Sequence, residues 1–77
     1  MAKFRVKLVH SSSSYDNIGT YNTIEDAAEE GYSYAHRKGY TRSNCESRES
    51  VVESLTMRQF CMLGYGPECI EVEEVNS

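Results

Sequence analysis

Apolar and polar side chains alternate strictly along residues 3–9. In an extended chain one face carries Phe4, Val6 and Leu8, and the opposite face carries Lys3, Arg5 and Lys7. A period of two is typical of a β-strand that buries one face and exposes the other. We therefore predict a strand here, with a basic outer face.

The next segment predicts a loop and a second strand. Four consecutive serines at positions 11–14 suit a hairpin loop, because a short polar run is easily left in solvent. Residues 15–21 have strand character, but Asn17 and Gly19 weaken it. We expect an edge strand, with a bulge at Gly19.

The strongest helix signal runs from Ile24 to Lys38. Thr23 is a good N-cap residue, and Asp26 stands three positions later, where a capping box places its acidic residue. Basic residues close the last turn, and Gly39 follows where a helix most often ends on glycine. These signals agree, so the pattern predicts a helix with both ends defined.

One stripe of this helix is made of small residues, which lets a helix lie close to a sheet. The stripe consists of Ile24, Ala28, Gly31 and Ala35, flanked by Ala27, Tyr32 and Tyr34. Glycine inside a helix costs about 1 kcal/mol relative to alanine. Close packing against the sheet is the expected compensation at Gly31.

Residues 40–49 are polar and are predicted to form a loop, but two structures compete for residues 50–63. A capping box of Ser50 and Glu53, followed by a broad apolar face, predicts a second helix. The alternative is a strand from Leu55 to Leu63 that turns directly into the last strand. We favour the helix.

The charges indicate that the first and last strands are neighbours. Residues 68–75 form the last strand, with Ile70 and Val72 on one face and Glu71 and Glu73 on the other. These glutamates would lie opposite the basic face of the first strand, and each such pair contributes about 0.2–1 kcal/mol. The predicted sheet order is second, first, last.

Together these elements predict an α+β fold in a single domain spanning residues 1–77. The sheet is mainly antiparallel, with three strands, or four if residues 50–63 contribute one. The long helix packs on one face, beside the favoured second helix.

Composition narrows the class of partner. The chain has 12 acidic and 8 basic residues, a net charge of −4 and a pI near 5.0. High-affinity DNA binding by the chain itself is not expected, since duplex DNA attracts a basic surface. There is no apolar run long enough to span a bilayer and no signal-peptide core, so we expect a cytoplasmic protein that does not enter membranes.

The three cysteines carry no metal or redox motif. Cys45, Cys61 and Cys69 are spaced by 16 and 8 positions, and no C-x-x-C pair exists. A Cys₃His zinc site with His36 or His10 is chemically possible, but no spacing supports it. We expect no metal and no cofactor, with Cys61 and Cys69 as mostly buried apolar residues and Cys45 in a loop.

No catalytic signature is present. Serine, histidine, cysteine and carboxylate residues occur, but none has the spacing of a nucleophile with its base. The segment Gly64-Tyr65-Gly66 lacks the rest of a phosphate-binding loop. We therefore predict that the protein is not an enzyme.

Six tyrosines are unusual in 77 residues, and tyrosine is enriched where proteins meet proteins. Tyr21 and Tyr32 are expected to complete the core. Tyr15, Tyr40 and Tyr65 lie in polar or glycine-rich contexts, and at least two of them should be exposed.

The long helix combines acidic residues in its first half with aromatic residues on its flanks. Its candidate partner-binding residues are Glu25, Asp26, Glu29 and Glu30, with Tyr32 and Tyr34 as anchors. Such a run of carboxylates is most often a solvated helix face. Adjacent aromatic side chains favour a binding surface instead.

A strand pair, the capped helix beginning YNTIEDAA (21–28) and the closing strand IEVEEV (70–75) give the chain its overall character. In this it resembles small acidic phage-encoded inhibitors, of the kind that shut off host RNA polymerase or counter CRISPR defence. The resemblance covers about half of the chain and transfers no residue roles. It implies stoichiometric blockade, in the host cytoplasm, of sites that normally hold nucleic acid.

The function we predict is a small acidic inhibitor that binds a larger protein or nucleoprotein complex, as a monomer or a homodimer. Two alternatives stay open from the sequence: a small nucleic-acid-binding regulator, and a structural or assembly subunit without inhibitory activity.

Overall fold

The computed structural model describes residues 2–40, 47–63 and 67–76. Its elements are β1 (Ala2–Ser11), β2 (Ser14–Tyr21), α1 (Ile24–Arg37), α2 (Arg48–Arg58), β3 (Phe60–Met62) and β4 (Cys69–Asn76). The four strands form one antiparallel sheet in the order β2-β1-β4-β3. Two helices complete an α+β fold, as predicted.

Strands β1 and β4 are neighbours in the predicted register. Arg5 lies opposite Glu73, and Lys7 lies opposite Glu71. The Arg5 guanidinium forms an ion pair with the Glu73 carboxylate. This contact lowers the pKa of Glu73 and raises that of Arg5. The charge pattern therefore identified the central strand pair correctly.

Strand β2 contains a bulge, one residue before the expected position. Val6 pairs with Gly19, but the next residue, Lys7, pairs with Asn17, which leaves Ile18 as the extra residue. Ile18 packs against the core. The bulge lies here because it lets an apolar side chain reach the helix side of the sheet.

Helix α1 is capped as predicted. The Thr23 side chain accepts a hydrogen bond from the backbone N–H of Asp26, at 3.0 Å. The helix ends at Arg37, one residue earlier than expected, and Gly39 follows with φ of +81°. Its buried positions are Ala27, Ala28, Gly31 and Ala35, so the small-residue stripe does face the sheet.

The start of α2 corrects the predicted capping box. The N-cap is Ser47, whose side chain accepts from the N–H of Ser50 at 3.2 Å, so Ser50 lies inside the helix. A capping box of Ser50 and Glu53 was therefore wrong. The helix also begins within the segment 40–49, which was predicted to be a loop; residues 41–46 lie outside the described ranges.

The end of α2 corrects the prediction for residues 59–63. The helix stops at Arg58 because Gln59 adopts a left-handed conformation, with φ of 62°. Phe60–Met62 then forms β3, which brings the number of strands in the sheet to four. The strand alternative was therefore right for these three residues only. Leu63 is buried at the end of this strand rather than on a helix.

The core lies between the sheet and the two helices. Its fully buried large side chains are Leu8, Leu55, Leu63, Ile70, Val6 and Val51. Tyr21, Tyr32 and Tyr40 are partly buried against it, whereas Tyr15 is 57% exposed. Tyr65 lies outside the described residues.

Two of the cysteines can be placed. Cys69 is buried, and Cys61 is partly buried against the core. Cys45 lies outside the described residues. Within those residues, no helix has the length and apolar character needed to cross a membrane.

Candidate partner-binding surface on the helical layer

The first turns of α1 present a group of carboxylates to solvent. Thr23 caps the helix, so Glu25 and Asp26 lie in its first turn, where the positive end of the helix dipole favours acidic side chains. Glu25, Asp26 and Glu30 are exposed, and Glu29 is partly buried. The local sequence therefore places all four predicted acidic residues in the first two turns of α1.

One contact extends this group onto the second helix. Arg48 in the first turn of α2 forms an ion pair with Glu29 of α1. Glu49 and Glu53 of α2 are exposed as well. We call the six carboxylates the acidic surface: Glu25, Asp26, Glu29, Glu30, Glu49 and Glu53.

The acidic surface keeps most of its charge. Glu29 is neutralised by Arg48. Among the residues that the structure describes, no cation lies within 4.0 Å of the carboxylates of Glu25, Asp26 or Glu30. These three carboxylates are therefore available to a basic partner, and Glu29 instead ties the two helices together.

Tyr32 lies beside the acidic surface. It follows Glu25 by two helical turns and Glu29 by one turn, so the three side chains share one side of α1. Its ring stacks on His36, with centroids 5.5 Å apart and planes 17° apart. The ring is partly buried against the core, and its position beside the carboxylates follows from the spacing along α1.

Tyr34 lies on the opposite flank of α1, toward β2. Its hydroxyl donates a hydrogen bond to the Asp16 carboxylate at 2.8 Å. The ammonium of Lys38 lies 5.6 Å from its ring centroid. The structure thus separates the two predicted tyrosine anchors, and Tyr34 holds the helix to the sheet.

A polar cluster around Asp16 was not found from the sequence. The same Asp16 oxygen lies 3.2 Å from Nε2 of His10, whose Nδ1 is 3.6 Å from the Glu68 carboxylate. Tyr40 contacts the His10 ring edge-on, with centroids 5.7 Å apart. These residues come from four separate segments. The strand register, including the bulge in β2, and the packing of α1 on the sheet together bring them into contact.

The cluster shifts two pKa values in opposite directions. The hydrogen bond from Tyr34, followed by that from His10, lowers the pKa of Asp16 below its ordinary 3.8. The same Tyr34 bond raises the pKa of the Tyr34 hydroxyl above 10.0. Both shifts mean that the contact stabilises the fold while Asp16 is ionised and Tyr34 is neutral.

Replacing Tyr34 with phenylalanine should change the acid dependence of stability. Because the folded pKa of Asp16 is depressed, its contribution is present above the unfolded value and is lost as the pH falls through the folded value. The variant should therefore be less stable than the parent at about pH 7, and the difference should shrink below about pH 4. Urea denaturation across this range measures it.

Tyr32→Phe is the matched control, because Tyr32 lies on the same helix but outside the Asp16 cluster. Its stability difference from the parent should not vary with pH. A Tyr34→Phe difference that is equally flat would contradict the assigned bond.

The basic row on the outer face of β1 is largely partnered. Arg5 pairs with Glu73, and the Lys7 ammonium lies 4.0 Å from the same carboxylate and 4.9 Å from the centroid of the Tyr15 ring. Lys3 donates to the Asn22 side chain at 3.1 Å. This arrangement favours a structural role for the row over contact with nucleic acid.

No cluster of three or more His, Cys, Asp or Glu side chains with the geometry of a metal site occurs in residues 2–40, 47–63 and 67–76.

No family model, curated protein or solved structure gives a significant match to the chain.

Proposed function

We propose that this protein is a stoichiometric inhibitor that binds a larger complex through the acidic surface and occupies a basic site meant for nucleic acid. The observation that supports this most directly is the exposure of Glu25, Asp26 and Glu30 on α1, whose carboxylates have no cation within 4.0 Å among the described residues. Such a blockade would be useful to a phage, whose proteins act in the cytoplasm of the host cell.

The helical layer suits this role because side-chain contacts join its elements. The Arg48 contact to Glu29 joins α2 to α1, and the Tyr34 contact to Asp16 joins α1 to the sheet. Because the backbone that carries the carboxylates is already folded, binding has to order only their side chains. The spacing of charges is therefore preset before the partner arrives.

Charge and aromatic contact would contribute to different stages of binding. Exposed carboxylates steer the encounter with a basic site and speed association at low salt. Tyr32, at the edge of the acidic surface, supplies an anchor with apolar area and a polar tip. The complex should accordingly weaken as ionic strength rises.

The test is a competition with DNA on two purified targets, bacterial RNA polymerase holoenzyme and a Cas nuclease loaded with guide RNA. The anisotropy of a labelled duplex target reports its occupancy while the protein is added. We expect DNA binding to one of these complexes to fall in proportion to added protein and to reach its end point at equimolar ratio.

A variant series identifies the surface. The triple substitution Glu25→Gln, Asp26→Asn and Glu30→Gln should slow association by about tenfold or more at low salt. For a matched pair, Glu30→Gln should weaken blockade whereas Glu74→Gln, an exposed carboxylate on β4, should not. Equal blockade by the triple variant and the parent would refute the acidic surface as the contact.

The same assay addresses the main alternative. Labelled duplex DNA with the protein alone should give no sequence-dependent change of anisotropy at physiological salt. A sub-micromolar, sequence-dependent response, with no effect on either complex, would establish a nucleic-acid-binding regulator instead.

A further inference from the structure

Exposed apolar side chains are concentrated at one edge of the fold. Met57 is 78% exposed, Met62 56% and Phe60 40%, and all three lie within one short stretch at the end of α2 and in β3. Among the residues that the structure describes, the other exposed large apolar side chain is that of Tyr15, on β2 at the opposite edge of the sheet. Phe60 and Met62 therefore mark the β3 edge as unusual.

The backbone of β3 is also available for pairing at this edge. The N–H of Val72 donates to the carbonyl of Gln59 at 2.9 Å, and the N–H of Leu63 donates to the carbonyl of Glu68 at 3.1 Å. In an antiparallel pair, bonded residues alternate with residues whose groups point the other way. The N–H and C=O groups of Phe60 and Met62 consequently point away from β4, toward an edge with which no strand among the described residues pairs. The Met62 carbonyl accepts a contact from the Cys61 thiol at 3.4 Å.

Met57 lies on the solvent side of α2. It follows Leu55 by two residues, which is about 200° around an α-helix, and Leu55 is fully buried in the core. The side chain of Met57 therefore points away from the core, and the edge of the sheet itself is formed by Phe60–Met62.

The side chains of β3 give this edge no protection against strand pairing. Natural edge strands are shielded by charged side chains, prolines or bulges, or by being very short. Phe60-Cys61-Met62 contains no charge and no proline, and its pairing with β4 is regular. Its length of three residues is the one protection it has, which limits the strength of pairing with another strand but does not prevent it.

We propose that β3 pairs with β3 of a second copy of this chain, antiparallel, about a two-fold axis at Cys61. In this register Phe60 lies opposite Met62 of the second copy, and Met62 opposite its Phe60. The backbone N–H and C=O groups of Phe60 and Met62 are the ones that point outward. This register therefore forms the backbone hydrogen bonds and the side-chain contacts at the same time. Phenylalanine against methionine is a favourable contact.

Charge favours a second copy over a foreign strand. Residues 57–63 contain one charged side chain, Arg58, and no carboxylate. Two copies can therefore meet here although each has a net charge of −4. A strand of three residues has few side chains with which to recognise a foreign peptide. In a two-fold symmetric pair, by contrast, each contact occurs twice.

The dimer adds to the proposed function and does not depend on it. Helix α1 lies on the far side of α2 from the β3 edge, so the acidic surface on α1 stays exposed in both copies. One dimer would present two such surfaces. The small edge predicts a weak, reversible association.

Sedimentation equilibrium over a wide concentration range tests the state of the purified protein. We expect a reversible monomer–dimer equilibrium in the micromolar range or above. Amide hydrogen exchange by NMR gives a second readout: exchange at Phe60 and Met62 should slow as the concentration rises. A monomer at every concentration, or exchange that is independent of concentration, would overturn the proposal.

Two lysine variants locate the interface. Met62→Lys should raise the dimer dissociation constant by about tenfold or more, because a charge would be buried against apolar groups. Tyr15→Lys, at the exposed position on the other edge, should leave it unchanged. Thermal melts confirm that both variants fold. Dimerisation that resists Met62→Lys, or that is lost in Tyr15→Lys, would exclude pairing of β3 with β3.

Discussion

Leu55→Ala is expected to lower the free energy of unfolding by about 2–5 kcal/mol. Leu55 is fully buried, and it is one of the two buried residues of α2. Truncation removes apolar contact and leaves a cavity where α2, α1 and the sheet meet. In a domain of this size the loss is comparable to the whole stability, so part of the protein should be unfolded without denaturant.

The measurement is urea denaturation followed by far-UV circular dichroism. Met57→Ala serves as the matched control, since Met57 lies on the same helix but is 78% exposed. Its effect should stay within about 0.5 kcal/mol. Equal losses for the two variants would mean that α2 does not pack as the structure shows.

Gly31→Leu is expected to cost about 1–3 kcal/mol or more. A Cβ atom at this position would lie 3.0 Å from a Val6 methyl and 3.1 Å from an Ile70 methyl. Both neighbours are β-branched and stiff, so they cannot rotate away easily. The larger side chain must push α1 off the sheet.

Gly31→Ala separates packing from helix propensity. Alanine gains about 1 kcal/mol as a helix former, and crowding against Val6 and Ile70 offsets this gain. A net change near zero is expected. Ser33→Leu, at an exposed position of the same helix, should cause no loss. If Gly31→Leu is also tolerated, α1 lies farther from the sheet than described.

Elements with complete local signals could be predicted from the sequence. Helix α1 has an N-cap, small residues at the spacing of one face and a glycine after its last turn, so its structure follows from neighbouring residues. The pairing of β1 with β4 is a long-range feature. It could be predicted because opposite charges and apolar residues agree on one register.

The region of α2 and β3 could not be predicted in full. Val51, Leu55 and Leu63 fit one helical face in the sequence, yet Leu63 reaches the core from the end of a strand. Helix α2 ends and β3 begins on either side of Gln59, a residue without particular preference for φ of 62°. Pairing with β4 imposes this conformation, and no local pattern reports it.

For the candidate surface too, the features set by local sequence could be predicted, and those set by tertiary contacts could not. The positions of the α1 carboxylates follow from helix geometry, so the sequence was sufficient for them. The Glu29 contact to Arg48 depends on how α2 packs, and the Tyr34 contact to Asp16 depends on a bulge in β2. Tertiary packing therefore decided which of the predicted residues stay available to a partner.

The pairing of β1 with β4 has a consequence for the order of folding. The hairpin of β1 and β2 and the helix α1 are synthesised long before β4, yet β4 supplies the second central strand of the sheet. Closing so long a stretch of chain costs entropy before any contact repays it, which makes such topologies slow to fold. Until β4 arrives, one side of β1 is an open template for other strands. We therefore expect the interior to be completed only when β4 joins the sheet, and before that point a growing chain is most exposed to pairing with its neighbours.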